Sequence, residues 1–246
     1  EEIKRGFDKV KIAIVPARGG SKRIPKKNIK NFLGEPAIGY TIKLLQEADI
    51  FSKIFVSTDD TEIADIVQEY GIEVPKLRPS DISDDIATTD SVVEHSIKEA
   101  MSIFGNFDYG CCVYPVNPLL NVGHLKSAFD LMVSKEAQTC FSAVEFDFPI
   151  EQSFELINGN PKFKYPEKLS SPSQILTKYY HDAGMFYWFD VNAFLSTKTL
   201  ISTQSVCYLV NQLLCQDINT VEDWALAELK VKRLRENDDA KYTYRY

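Results

Sequence analysis

Short apolar runs alternate with amphipathic segments through the first 140 residues, and this alternation limits the fold more than any other feature of the chain. KIAIVP (11–16), KIFVST (53–58) and YGCCVYP (109–115) read as buried strands, and IEVPKLR (72–78) as a further extended segment. Pro36 opens AIGYTIKLLQEA, where Ile38, Ile42 and Leu45 recur at helical spacing. TDDTEIADIVQEYG offers Asp or Thr as a cap and Gly71 as a stop. SVVEHSIKEAMSIF and VGHLKSAFDLMVS are two more helices. Strands separated by helices of this length require crossover connections, so the pattern predicts an α/β fold with a doubly wound, mostly parallel sheet. The pattern breaks over 146–180, a stretch rich in Pro, aromatics and turn residues that reads as a small β-rich or irregular insertion. GMFYWFD then returns to the core, and INTVEDWALAELKVKRLREN closes the chain as an amphipathic helix with Thr220 as its cap.

Ligands of such sheets bind outside the carboxyl ends of the strands. The loops at those ends begin near Ala17, Thr58, Arg78 and Pro115. The first of them, RGGSKRIPKKNIK (18–30), holds six Lys or Arg and no acid, although the whole chain carries a formal charge of −7. It is neither GxGxxG nor GxxxxGK[ST], so dinucleotide and P-loop binding are not indicated. Gly19 and Gly20 let backbone N–H groups approach anionic oxygens closely. Arg18, Lys22, Arg23 and Lys26 or Lys27 can neutralise charge on a leaving pyrophosphate. Pro25 stiffens the loop and Asn28 stands at its far end. A targeting tag or nucleic-acid patch is the alternative. A pI near 5.1 and a position directly after a core strand weigh against both.

At 246 residues, 44% hydrophobic and 26% charged, the chain suits one large α/β domain. No apolar run approaches the roughly 20 residues of a membrane helix, and no secretory signal pattern precedes the first strand. The expectation is no membrane and no nucleic-acid partner. Five cysteines without CxxC spacing read as reduced core thiols in a cytoplasmic protein. Cys111 and Cys112 are neighbours on a strand and point to opposite faces, so they make poor joint metal ligands.

IVPARGGSKRIPKKNIKNFLGEPAIGYTI, VSTDDTEIADIVQEYG, RPSDISDD, YHDAGMFYW and QDINTVEDW, in that order, resemble the acylneuraminate cytidylyltransferase family. Within it, the opening motif and the YHDAG strand are most similar to pseudaminic acid cytidylyltransferases. The resemblance implies a Rossmann-like sheet of the nucleotide-diphospho-sugar transferase type, forming one domain over 11–246. Residues 146–180 would be a dimerisation or lid insertion, and 1–10 an N-terminal extension. It implies a homodimer that joins CTP to the anomeric hydroxyl of a nine-carbon sugar acid, with Mg²⁺, giving a CMP-sugar and pyrophosphate.

Site residues carry over motif by motif. Arg18, Gly19, Gly20, Ser21, Lys22, Lys27 and Asn28 would meet the nucleotide, with Arg18 and Lys27 catalytic. Arg78 and Ser83 would read the cytosine, and Asp217 with Asn219 would hold Mg²⁺. Asn117, Gln174, Tyr180 and His181 would face the sugar. His181 and Asp182 would be catalytic as well, with His181 the proton acceptor, its ordinary pKa of about 6.5 suiting that role, while a structural His in the sheet is the plain alternative. His95 and His124 lie in helical patterns and read as structural. The chain departs from the family pattern at Val116-Asn117, at Pro172, at Met185 and at Asn219. The first three remove polar groups from the sugar side, and the fourth removes a charge from the metal side. A sister enzyme for another sugar acid and a CTP-binding relative without turnover are the alternative functions.

Overall fold

The computed structural model describes residues 9–83 and 87–237. Residues 1–8 of the expected extension, 84–86 of the loop after Arg78 and 238–246 lie outside them. The chain opens with β1 (Lys11–Pro16), the short ribbon β2 (Asn31–Phe32) and β3 (Glu35–Pro36), α1 (Ala37–Ala48), β4 (Lys53–Ser57) and α2 (Thr61–Glu69). It continues through α3 (Thr89–Phe104), β5 (Tyr109–Val113), α4 (Val122–Ser134) and β6 (Thr139–Glu145). The insertion carries β7 (Phe154–Ile157) and β8 (Asn160–Phe163). Then come β9 (Tyr180–Asp190), α5 (Val191–Thr197), β10 (Ser205–Leu209) and α6 (Val221–Asn237).

The central sheet has six strands in the order β10-β6-β9-β5-β1-β4. Parallel pairing of β1 with β4 and β5, and of β6 with β10, leaves β9 as the one strand running against the rest. The α/β expectation of a mostly parallel sheet holds, with that reversal added. Period-2 alternation splits β1 between two cores. Ala13 and Val15 pack with α1 and α4, while Ile12 and Ile14 pack with α3 and α5. Cys111 and Cys112 part in the same way. All five cysteines are free. Cys207 is exposed, which corrects its reading as a core thiol: it sits on β10, the sheet's edge strand.

IEVPKLR forms no strand, which corrects the sequence expectation. Ile72 and Val74 pack half-buried against the core, but Pro75 has no N–H to donate to a ladder. The segment therefore passes β4 without pairing and is fastened by Arg78 N–H to Thr58 O at 2.7 Å. Helix caps follow the sequence: Asp60 accepts from Glu62 and Ile63 N–H, and Asn121 from His124 N–H. Thr220 Oγ1 accepts from Asp223 N–H while Asp223 accepts from Thr220 N–H, a reciprocal capping box.

A bulge between Phe141 and Ala143 interrupts the pairing of β6 with β9. Ser142 Oγ fills the gap, accepting from Met185 N–H at 3.2 Å and Phe186 N–H at 3.4 Å. Gly184 takes φ +63° there, a conformation that costs glycine little. The bulge brings Gly184 beside Tyr114 and Asp217. A third cluster, built from Ile24, Phe32, Val116, Ile218 and Trp224, fixes the basic loop and the start of α6 over the carboxyl end of the sheet.

Candidate active site

The basic loop is irregular but tightly held. Gly19 N–H donates to Asp59 Oδ1 at 2.9 Å, and Asn28 Nδ2 donates to the Arg18 carbonyl at 2.8 Å. Asn28 is buried, and its own carbonyl accepts from Ile38 N–H at the start of α1. A Cβ at Gly19 would lie 2.3 Å from Asp60 Oδ2, so no larger residue fits without displacing the α2 cap. Lys27 Nζ donates to the Ile218 carbonyl at 2.8 Å, and Arg23 Nη2 donates to Asn219 Oδ1 at 2.7 Å. These bonds tie the loop to the segment before α6. Lys26 pairs with Glu62 on the outer surface, so Lys27 is the one of the two that enters the site.

Together they form a cleft of about 340 Å³ at the carboxyl ends of β1, β4 and β5. Arg18, Lys22, Arg23, Lys27 and Arg78 bring positive side chains to it, and Ser21, Asn28 and Ser83 add neutral polar groups. Arg78 is 5% exposed. Its Nε donates to Ser83 Oγ at 3.0 Å, its Nη1 to the Ser57 carbonyl at 3.2 Å, and Asp59 stands 3.7 Å from Nη2. Burial lowers the pKa of Lys27; Arg23 and Arg18 reinforce the shift and Asp217 opposes it. Burial also lowers that of Arg78, Asp59 opposing and Arg18 reinforcing, though a guanidinium stays charged in proteins. A concave site that gathers five cationic side chains suits a small polyanion.

Asp217 is exposed at the mouth of the cleft, and Asn219 Nδ2 donates to its Oδ2. The two offer one carboxylate and one amide oxygen. Mg²⁺ bound with a triphosphate commonly asks no more of a protein than one or two oxygen donors, so the set fits.

Beside this cleft lies a second cavity of about 270 Å³, and the two share Thr89 and Tyr114. The second is lined by Asp90, Asp182, Tyr187 and the Thr199–Ile201 segment, with no cation among the described residues. Asp182 belongs here, whereas the residues expected to face the sugar do not line it. Asn117 is buried and donates from Nδ2 to the Met185 carbonyl at 2.9 Å. Gln174 and Tyr180 are exposed beyond the cavity. His181 is also exposed, its Nδ1 on the Asp182 carbonyl and its ring 4.7 Å from that of Phe146. Gly19 and Gly20 support the loop rather than line the cleft.

The sequence reading missed Asp59, Thr89, Tyr114 and Tyr187. The tandem Asp59-Asp60 before a helix was the available sign for the first, since one carboxylate suffices as a cap.

Fold and cleft together define an α/β protein that takes an anionic nucleotide-like ligand at its strand ends. The chain belongs to the cytidylyltransferase family: residues 12–213 match the model described as Cytidylyltransferase. It is 38% identical over 222 residues to the pseudaminic acid cytidylyltransferase of Campylobacter jejuni, covering 90% of this chain and 96% of that one. It is 29% identical to the CMP-N,N'-diacetyllegionaminic acid synthase of Legionella pneumophila, covering 88% and 94% of the two chains. A solved CMP:2-keto-3-deoxy-manno-octonic acid synthetase complexed with CTP shares the fold at TM-score 0.66 and 12% identity, over 92% of this chain and 99% of that one. No helix among the described residues is long and apolar enough to cross a membrane.

Proposed function

We propose that this chain joins CTP to the anomeric hydroxyl of a nine-carbon 2-keto sugar acid, pseudaminic acid foremost, and releases pyrophosphate. The observation that carries the proposal is the pair of abutting cavities, one cationic and one with no cation among the described residues, in a chain this similar to pseudaminic acid cytidylyltransferases. The triphosphate lies along Arg18, Ser21, Lys22 and Lys27, with the cytosine toward Arg78 and Ser83. The sugar enters the second cavity, so that its anomeric hydroxyl reaches the α-phosphorus at the shared wall of Thr89 and Tyr114. Two acidic walls there turn the substrate carboxylate back toward the cationic cleft. This chain's own contribution is to align hydroxyl and phosphorus and to stabilise charge on the departing pyrophosphate.

Asp217 and Asn219 would hold Mg²⁺, which when bound neutralises phosphate charge. Asn219 now divides its amide between Arg23 and Asp217. Asn219→Asp sets two carboxylates side by side and is expected to lower the Mg²⁺ concentration needed for half-maximal CTP binding. An unchanged Mg²⁺ titration would remove Asn219 from the metal site.

The exposed Phe148, Phe154, Leu156, Ile157 and Ile175 of the insertion support pairing of two copies through 146–180, which sedimentation velocity tests directly. The function itself is tested by pyrophosphate release from CTP and Mg²⁺ with pseudaminic, legionaminic and N-acetylneuraminic acids in turn. Release with pseudaminic acid is expected. Release with another acid alone transfers the proposal to a sister enzyme, and CTP binding without release from any acid ends the catalytic reading.

A further inference from the structure

The segment that carries Asp217 and Asn219 is fastened on two sides. Lys230 Nζ, on α6, donates to the Gln212 carbonyl at 2.8 Å, the Cys215 carbonyl at 2.7 Å and Gln216 Oε1 at 3.0 Å. Gln216 Nε2 donates to the Asp217 carbonyl and to Asp223 Oδ1, each at 3.3 Å. Asp223 Oδ2 accepts from Asn219 N–H at 2.9 Å and from Thr220 N–H at 2.8 Å. From the basic loop, Lys27 Nζ holds the Ile218 carbonyl at 2.8 Å. The backbone is therefore fixed, and the side chains of Asp217 and Asn219 are the parts that can change partners.

Donor counting gives the Asn219 amide one orientation. A guanidinium only donates and an ionised carboxylate only accepts. Asn219 Oδ1 therefore faces Arg23 Nη2, at 2.7 Å, and its Nδ2 faces Asp217 Oδ2. The single side-chain oxygen of Asn219 is taken by a cation, and an N–H points at one oxygen of Asp217. Neither of these two oxygens is presented to a metal ion in this arrangement. Arg23 is exposed and lines the cationic cleft, so a ligand there can reach it. Its bond to Asn219 is to a neutral amide oxygen, whereas phosphate oxygens offer charged, bidentate partners of about twice the strength. A triphosphate in the cleft outcompetes Asn219 for the guanidinium. Asn219 Oδ1 then lacks its donor, beside the Asp217 carboxylate.

We propose that Arg23 and Asn219 form a latch through which the triphosphate opens the Mg²⁺ site as it binds. The inference rests on the nucleotide half of the function proposed above and on none of the chemical step. In the free chain the latch keeps Asn219 Oδ1 engaged. In the nucleotide complex Arg23 moves to phosphate, and Asn219 Oδ1 joins Asp217 as an oxygen donor. Lys27 keeps its bond to Ile218 throughout, so the loop stays attached while the latch opens.

The test follows Mn²⁺, a paramagnetic stand-in for Mg²⁺, by its spin-resonance signal with the nucleotide-free chain. Arg23→Met is expected to tighten Mn²⁺ binding by about tenfold or more, the worth of one charged hydrogen bond to the amide oxygen. Removing a nearby cation favours any metal ion, so the same substitution is also made in Asn219→Ala. With no amide oxygen to release, the gain there should shrink to about threefold or less. Equal gains in the two backgrounds overturn the latch. Nitrogen-15 resonance gives a second readout, with the Asn219 side-chain amide assigned by its loss in Asn219→Asp. Metal-free CTP should shift that amide in the native chain and leave it nearly unmoved in Arg23→Met, where the bond is already absent. The same shift in both chains overturns the latch. Thermal melting checks the fold of Arg23→Met, and Arg23→Ala replaces it should it not fold. CTP that fails to bind the native chain overturns the function and the latch together. Differing Mn²⁺ gains and amide shifts without pyrophosphate release from any acid uphold the latch and end the catalytic reading alone.

Discussion

Lys27→Met is expected to lower kcat with CTP and sugar acid by about 10²–10³-fold, the usual effect of removing one charge-stabilising donor from a catalytic site. Lys27 is the cation the site holds nearest the segment before α6. Its stem is half-buried, its Nζ is fixed on the Ile218 carbonyl at 2.8 Å, and Arg18, Arg23 and Asp217 surround it. A fixed ammonium needs no reorganisation when charge builds on the leaving group. Arg18, Lys22 and Arg23 remain in the variant, so CTP affinity should fall far less than turnover does. The pH profile gives an independent check. Burial holds the Lys27 pKa below the ordinary 10.5 in the free chain, and kcat/KM reports groups of the free enzyme. Activity of the native chain should therefore decline with rising pH earlier than an ordinary lysine would cause, and Lys27→Met should lack that decline. A variant that retains kcat within about threefold of native would assign Lys27 to fastening the loop and nothing more.

The sequence revealed most where a local rule acts alone. Helix α4 runs from Val122 to Ser134, as its apolar spacing predicts, because Asn121 caps it and nothing in the tertiary structure opposes it. The failure at 72–78 has a local cause in Pro75, which apolar content masked. The direction of β9 was not legible, since period 2 is the same in either direction. The hairpin of β7 and β8 could have been found: Asn158-Gly159 is a two-residue turn signal, and both residues adopt positive φ, +48° and +80°. In the site, the basic loop could be located because it follows a buried strand directly. Thr89, Tyr114, Asp182 and Tyr187 come from α3, the loop after β5 and β9, elements far apart in the chain that meet only in the fold. His181 shows the cost of reading chemistry from residue type. It adjoins Asp182 in sequence, yet its side chain lies on Phe146 outside both cavities.

Acid should destabilise the fold through His124, by about 3 kcal/mol once both folded and unfolded forms are protonated. Its pKa is pushed down by burial from 6.5 to about 4, and its residue exposure is 3%. The local geometry explains why. Asn121 Oδ1 is committed to the His124 backbone N–H at 2.9 Å, which turns Asn121 Nδ2 toward the ring at 3.2 Å from Nε2. Nε2 therefore accepts and Nδ1 carries the proton, without a partner among the described residues. A second proton would have to enter at Nε2, against an amide N–H, in a site closed to water. Above pH 6.5 both forms are neutral and His124 contributes no slope. Between 6.5 and about 4 the unfolded chain binds the proton first, so stability falls as pH falls through that window. Urea unfolding should show the native chain losing about 2–3 kcal/mol more than His124→Leu between pH 7 and pH 4.5. The comparison cancels the acid loss from carboxylates that both chains share. At pH 7 the variant should lie within about 1 kcal/mol of native, since it gives up one modest hydrogen bond and also a buried donor with no acceptor. Parallel pH dependences for the two chains would mean that the folded state accommodates the imidazolium, by turning Asn121 away from its cap.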